Sequence, residues 1–218
     1  DPSGTVSVIP TSGVALCDGG YQANLELLRA HVGPNPEALL QRGAATGTGE
    51  GITMAMAAGA ATQNLGRFYG HLHGRRALIN PDVWPYPELD SVAAASIIVT
   101  PDGKRFVDEG LGGMAITNAL AALPDPASAT IIADAAAWEG PGRSARIPAN
   151  PFLEKFGGEV IRAHTLEELA RRADIDFAGL AHTVDQYNRT IEEGNGAGIV
   201  PPRTAQKTKP WPITTAPY

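Results

Sequence analysis

Residues 93–109 read AAASIIVTPDGKRFVDE, which is an apolar run, a turn and a second short run. The β-branched residues of the first run, from Ile97 to Val99, are typical of a buried strand. The dipeptide Asp102-Gly103 favours a tight turn because glycine tolerates a positive φ. The pattern therefore predicts a β-hairpin from Ala93 to Glu109.

The segments on either side of this hairpin give a mixture of helix and strand signals. Apolar runs predict further strands at 13–17, 65–72, 129–133 and 159–163. Apolar periodicity and capping residues predict helices at 24–32, 37–41, 52–60, 114–123, 165–172 and 177–193. The helix at 165–172 begins with a capping box, Thr165 to Glu168, and the last helix carries an apolar stripe. The tail from Gly194 onward is rich in Gly and Pro, which predicts an extended and irregular course.

Composition and charge restrict the class of protein. The chain has 218 residues, of which 43% are hydrophobic and 18% charged, so it can bury a core and is not disordered as a whole. Its net charge is −6 and no Lys/Arg run exceeds two residues, which makes nucleic acid a poor partner. Its apolar stretches are far shorter than the roughly 20 residues of a membrane-spanning helix. The sequence therefore predicts a folded protein with no membrane span.

The cellular compartment is predicted from the single cysteine and the amino terminus. Cys17 has no second cysteine with which to form an internal disulfide, and Asp1-Pro2-Ser3-Gly4 has no secretory character. Both observations favour the cytoplasm. The chain does not begin with Met, so we expect it to be an internal piece of a longer protein.

Several chemical signatures are absent from the sequence, including a nucleophile elbow, a zinc-type His-Glu pair and a phosphate-loop lysine. We therefore predict neither a hydrolase nor a metal site. The glycine-rich stretch from Thr46 to Gly51 precedes a helix, whose free amides favour an anion. The alternative is an ordinary loop before a bare helix N-terminus, because the stretch is not a complete dinucleotide fingerprint.

A second candidate site lies in one short segment, where His71 and His73 occur with Tyr69, Arg75 and Arg76. A proton donor beside fixed positive charge suits an anionic or carbonyl-bearing substrate. The alternative is an edge strand with a solvated histidine and two surface arginines. The residues alone leave both possibilities open.

Taken in order, five motifs resemble the flavoprotein family of succinate dehydrogenase and fumarate reductase. They are VALCDGGY at 14–21, TGEGITMA at 48–55, AGA at 58–60, His71 and DGKRFVDE at 102–109. The later stretches LEELA at 166–170 and TVDQYN at 183–188 resemble the substrate-capping domain of the same family. Tricarballylate dehydrogenase-like and ketosteroid dehydrogenase-like members are similar in pattern, and FYGH at 68–71 resembles the former more.

The resemblance implies an FAD enzyme that moves hydride between the flavin and a carbon–carbon bond. The substrate would be a small carboxylate, such as fumarate, succinate or tricarballylate, or an enone. Glu50 stands where the family has a cofactor-contacting Asp, and the residues implied to bind FAD are Asp18, Gly19, Gly20, Gly49, Glu50 and Gly51. His71 falls at the family's substrate-binding histidine, with His73 in reserve, and Arg75 and Arg76 would add positive charge. These three, His71, Arg75 and Arg76, are the predicted catalytic residues.

The fold implied is α+β, with three parts. Residues 1–66 would be a remnant of the FAD-binding α/β domain, 67–209 the capping domain built on the hairpin, and 210–218 a return toward the FAD-binding domain. The family's dinucleotide fingerprint and closing glycine-rich segments are missing, so the remainder of the flavin-binding domain is an expected partner. The family's proton-delivering Arg is also missing between Gly110 and Leu123, which leaves fumarate in question as the substrate. The alternative function is a non-catalytic binding or interaction module.

Overall fold

The computed structural model describes Gly4 and residues 8–218. Asp1 to Ser3, which belong to the stretch without secretory character, lie outside the described residues. The described residues form eight α-helices, two β-strands and several single 3₁₀ turns. The strands are β1, Ile97–Val99, and β2, Thr130–Ile132. The helices are α1 Leu25–His31, α2 Glu50–Ala57, α3 Asp90–Ala95, α4 Gly113–Ala121, α5 Ala135–Glu139, α6 Ala149–Lys155, α7 Leu166–Ala173 and α8 Phe177–Glu192.

The sheet pairs β1 with β2 in antiparallel register, with Ile97 opposite Ile132 and Val99 opposite Thr130. The prediction of a strand at 129–133 is confirmed. The predicted hairpin is right in its turn, where the Gly103 amide donates to the Thr100 carbonyl at 2.8 Å. It is wrong in its second strand, because only Arg105 forms a bridge, to Val99. It is also wrong at its start, because 93–95 belong to α3.

A buried carboxylate explains why no second hairpin strand forms. Glu109 lies on the outer edge of β1, where its Oε1 accepts the backbone N–H of Ile98 at 3.0 Å. A pairing strand would need that same N–H. The chain after Arg105 instead turns into a 3₁₀ turn that begins at Glu109.

Most of the predicted helices are confirmed, and α7 shows why. Thr165 accepts the Glu168 backbone N–H at 3.1 Å, as the capping box predicts. The Glu168 side chain accepts the N–H of His164 at 3.2 Å, one residue before the position that the motif specifies. The stripe of α8 is buried at Leu180, Val184 and Tyr187. The predicted helix at 37–41 is only a 3₁₀ turn, Pro36–Ala38.

Three predicted strands are wrong, because their backbones find other partners or none. At 13–17 the run is exposed, with Val14 at 78% and Leu16 at 48% of full exposure. At 65–72 the chain is irregular, and Leu72 pairs once with the Leu89 amide at 2.8 Å. At 159–163 only Ala163 is paired, through two bonds with the last residue, Tyr218, at 3.0 and 2.8 Å.

The sheet separates two apolar cores, because successive strand residues face opposite sides. Ile97 and Val99 face one core, which α7, α8 and the tail complete. Ile98 faces the other core, which α3, α4 and α6 complete together with Leu72. The architecture is α+β, as predicted, and the second core anchors the segment that holds His71. Among the described residues, no helix is both long and apolar enough to cross a membrane.

Candidate functional site

The segment before His71 is fastened to α4 without being a strand. Asn118 accepts the Phe68 amide at 3.1 Å and donates to the Phe68 carbonyl at 2.8 Å. Gly70 lies so close to Thr117 and the Phe68 ring that an added Cβ would come within 3.0 and 2.6 Å of them. Two side-chain hydrogen bonds and one close approach therefore fix the course of an irregular segment.

Asp90, the first residue of α3, holds the residue after His71. Its Oδ1 accepts the Leu72 amide at 2.8 Å. Gly113, at the start of α4, lies against the same carboxyl group, because a Cβ there would be 2.2 Å from its Cγ. The Asp90 carboxylate thus lies between the start of α4 and the His71 segment.

His71 lies between this carboxylate and a surface tyrosine. Its Nδ1 is 2.8 Å from Oδ2 of Asp90 and 3.5 Å from Oε2 of Glu88. Its Nε2 is 3.1 Å from the hydroxyl of Tyr69, whose ring packs edge-on at 5.0 Å between centroids. The His71 side chain is only 19% exposed, whereas Tyr69 is 76% exposed. The Asp90 carboxylate therefore holds the imidazole on its Nδ1 side, and the exposed Tyr69 lies on its Nε2 side.

Glu88 and Asp90 place two carboxylates beside the ring, and the Glu88 carboxylate is also paired with an arginine. Arg42 pairs with Glu88 at 3.4 Å and donates to the Tyr86 hydroxyl at 2.8 Å. The ligand-type atoms of His71, Glu88 and Asp90 all lie within 4.8 Å of one another, which is close enough to hold a cation. The short bond to Asp90 and the Arg42 pair already satisfy these groups, so we treat the cluster as a hydrogen-bonded site. It can orient an imidazole and exchange a proton at Nε2.

His73 lies in different surroundings from His71. Its ring packs on Trp84 at 4.8 Å between centroids, and its buried Nδ1 has no partner among the described residues. Burial lowers the pKa of His73 below its usual value, and the nearby Asp90 carboxylate opposes this only in part. The ring borders a cavity of about 700 Å³ beside β2.

The two predicted arginines are placed apart from the carboxylate cluster. Arg75 borders the same cavity as His73 and donates to the Thr130 hydroxyl at 3.2 Å. Arg76 is exposed in the same 3₁₀ turn. Among the described residues that line the cavity, His71 does not occur. The structure therefore groups Arg75 with His73, and His71 with Asp90.

The residues predicted to contact FAD come together from two loops. Oδ2 of Asp18 accepts the Gly51 amide at 2.7 Å, which joins the Asp18-Gly19-Gly20 turn to the start of α2. Gly49 has a φ of 82°, a conformation that suits glycine, and Glu50 is exposed. One amide of the helix N-terminus expected to favour an anion is thus capped by the chain itself.

Sequence reasoning missed Asp90 and Glu88. Asp90 lies 19 residues from His71, and no periodicity connects the two positions. The one local signal is an acidic residue in the first turn of a helix, which is common at helix starts. Their contact with His71 depends on how α3 packs, which the sequence does not show.

Two curated relatives of the chain are named as a reductase and a dehydrogenase. No model of a known protein family matches the chain. A probable fumarate reductase, Ifc3, from Shewanella frigidimarina is 25% identical over 97% of the chain and 33% of its own length. A 4-oxocyclohex-2-ene-1-carboxylate 5-dehydrogenase from Sinomonas cyclohexanicum is 29% identical over 81% of the chain and 31% of its own length. The chain thus spans about a third of the length of these curated relatives.

Solved structures identify the fold. A flavocytochrome c3 fumarate reductase in its open conformation aligns with 92% of the chain and 32% of its own, at a TM-score of 0.54 and 24% identity. A 3-ketosteroid-Δ4-(5α)-dehydrogenase from Rhodococcus jostii RHA1 aligns with 88% and 35%, at 0.55 and 21% identity. This chain has the fold of the aligned part of those two structures, which is about a third of each. The resemblance inferred from the motifs is confirmed by these relatives and by the shared fold.

Proposed function

We propose that the parent protein is an FAD-dependent oxidoreductase that transfers hydride between the flavin and a C–C or C=C bond of its substrate. The substrate is a small carboxylate of the fumarate, succinate or tricarballylate kind, or an enone. The observation that carries this proposal is the alignment over 97% and 81% of the chain with a fumarate reductase and an oxocyclohexene carboxylate dehydrogenase. Both names describe reactions at a carbon–carbon bond near a carboxylate or a ketone.

The chain's share of this activity is to cover and bind the substrate. In the proposal, 67–209 form the capping domain, while 1–66 and 210–218 belong to the flavin-binding domain. The exposure of Tyr69 and the partial exposure of His71 support a substrate surface on this side of the capping domain. His71, protonated at both ring nitrogens, donates from Nε2 to a substrate carboxylate or carbonyl oxygen and stabilises the negative charge that develops there. Arg75 and Arg76 contribute positive charge from a greater distance.

A bound flavin would supply the hydride donor or acceptor. The described residues fit such a cofactor at its hydroxyl groups, because Asp18 and Glu50 place two carboxylates on converging loops. They do not fit its phosphates, which carboxylates repel. In the proposal, Gly19 and Gly20 allow close approach of the cofactor, and the remainder of the parent chain binds the phosphates. Gly49 and Gly51 instead leave room for Tyr21 and Asp18, which pack against the start of α2.

The alternative is a non-catalytic binding or interaction module. The specific observation in its favour is Asp18, which caps the helix N-terminus that a cofactor phosphate would otherwise use. A module of this kind would retain the fold without retaining a flavin.

Purification of the full-length gene product separates the two functions. We expect a yellow protein whose flavin, once chemically reduced without oxygen, is reoxidised by an enone, an enone carboxylate or fumarate. The same mixtures with the saturated analogues are the control and should leave the flavin reduced. A colourless protein that cannot be reconstituted with FAD would support the non-catalytic module and overturn the proposal.

A further inference from the structure

The hydrogen bonds around His71 distinguish its two ring nitrogens. Nδ1 faces the Asp90 carboxylate at 2.8 Å, and an ionised carboxylate only accepts hydrogen bonds. Nδ1 must therefore carry a proton to make this bond. In the neutral ring that leaves Nε2 unprotonated, so it accepts the hydroxyl proton of Tyr69 at 3.1 Å.

Asp90 is better placed for this role than the other nearby carboxylate. Glu88 is 3.5 Å from Nδ1 and is paired with Arg42. Asp90 is closer to Nδ1, and its second oxygen is fixed by the Leu72 amide at 2.8 Å. Its carboxylate therefore cannot rotate without losing a backbone hydrogen bond.

The geometry points to Asp90 as the positioning residue of His71, a residue that fixes the ring in its Nδ1-protonated tautomer and directs Nε2 toward Tyr69 and the substrate. It does not touch the substrate itself, because the ring lies between. The tautomer depends on this chain alone. Its effect on turnover rests on the proposed function, in which the ring takes up a second proton on Nε2 and donates it to the substrate oxygen while Asp90 holds Nδ1–H.

The substitution Asp90→Asn tests this inference with little change in shape. The Leu72 amide is a donor, so it holds the introduced carboxamide with its oxygen toward Leu72. The amide NH₂ then faces Nδ1, where two donors would meet. The ring avoids this by moving its proton to Nε2. The aspartate of a serine-protease catalytic triad controls the tautomer of its histidine in the same way.

Nitrogen-15 NMR of the imidazole side chains measures the tautomer directly in this chain. The His71 signals are assigned by their loss in His71→Gln, and spectra are recorded at alkaline pH. We expect Nδ1–H in the wild type, Nε2–H in Asp90→Asn, and no change from the wild type in the matched control Glu88→Gln. The wild-type spectrum is informative even where a variant does not fold. Nε2–H in the wild type, or an unchanged tautomer in folded Asp90→Asn, would overturn the inference.

Turnover of the full-length protein then separates this inference from the proposed function. Asp90→Asn should lower kcat at least about tenfold with a smaller change in KM, because an amide NH₂ facing Nδ1 disfavours the doubly protonated ring whose positive charge stabilises the transition state. Asp82→Asn, a change at an exposed residue outside the cluster, should retain a kcat close to that of the wild type. A tautomer switch without loss of turnover would refute the role of Asp90 in catalysis while leaving the hydride-transfer activity in place. A parent protein that holds no flavin would refute the proposed function and leave the tautomer result standing.

Discussion

Arg105 and Glu109 form a buried ion pair, with Nε of Arg105 3.0 Å from Oε1 of Glu109 and side-chain exposures of 2% and 0%. Arg203 from the tail approaches the same carboxylate, its Nε lying 3.9 Å from Oε2. Glu109 also accepts the Ile98 amide of β1. The Arg-Phe-Val-Asp-Glu motif that carries part of the family resemblance thus joins the sheet to the tail.

Removing the Glu109 carboxylate should destabilise the fold strongly. Glu109→Ala leaves two buried guanidinium groups without a counter-charge, which costs about 3–5 kcal/mol of the unfolding free energy. The control is Asp185→Ala, which breaks an exposed pair with Arg189 and should cost less than about 1 kcal/mol. Urea unfolding of the chain measures both values. Similar losses for the two variants would show that the buried pair is not a main support of the fold.

Stability should fall on mild acidification because of His73. Burial lowers the pKa of His73 in the folded state, so below the usual histidine pKa of about 6.5 the unfolded chain binds the proton more readily. The unfolding free energy is therefore highest above that pH and decreases as the pH falls through it toward the lower folded value. His73→Phe keeps a ring against Trp84 and should flatten this dependence. We would measure denaturant unfolding at a series of pH values from about 7.5 to 5.5; identical slopes in wild type and variant would exclude His73 as the cause.

Glu50 should contribute to flavin retention in the full-length protein. Glu50→Ala removes one charged hydrogen bond and should weaken FAD binding by about 1–3 kcal/mol, or about 5- to 150-fold in Kd, while the fold survives. Glu26→Ala, an exposed acid in the first turn of α1, is the matched control and should retain FAD like the wild type. Titration of the apoprotein with FAD measures both. Unchanged FAD affinity in Glu50→Ala would show that the stretch from Thr46 to Gly51 is an ordinary loop before a helix N-terminus.

The helices could be predicted because their signals are local. Thr165 and Glu168 specify the start of α7 within one turn, and the apolar stripe of α8 specifies its buried face. The strands could not be predicted as well, because a strand depends on a partner that is distant in sequence. The apolar runs at 13–17 and 159–163 both fit the pattern of a buried strand. In the structure, however, Val14 is exposed and Ala163 is paired with Tyr218.

The candidate site was predictable only in part for the same reason. His71 was identified by resemblance, and the glycine-rich loop by its composition. The carboxylates that face His71 come from the start of α3, and only the packing of that helix against the segment brings Asp90 within 2.8 Å of the ring. Arg75 lies next to the site in sequence, but its side chain donates to Thr130 of β2.

The central claim is that His71 binds the substrate of a flavin-dependent enzyme, and single-turnover reoxidation of the reduced flavin tests it most directly. The full-length protein is reduced without oxygen and mixed with the best substrate of the enone and carboxylate set, and the return of oxidised flavin absorbance is followed. We expect His71→Ala to slow this step by about 10²-fold or more, and to weaken substrate binding less. His73→Ala should have the milder effect on the same step. A rate in His71→Ala equal to that of the wild type, with His73→Ala damaged instead, would contradict the assignment of His71.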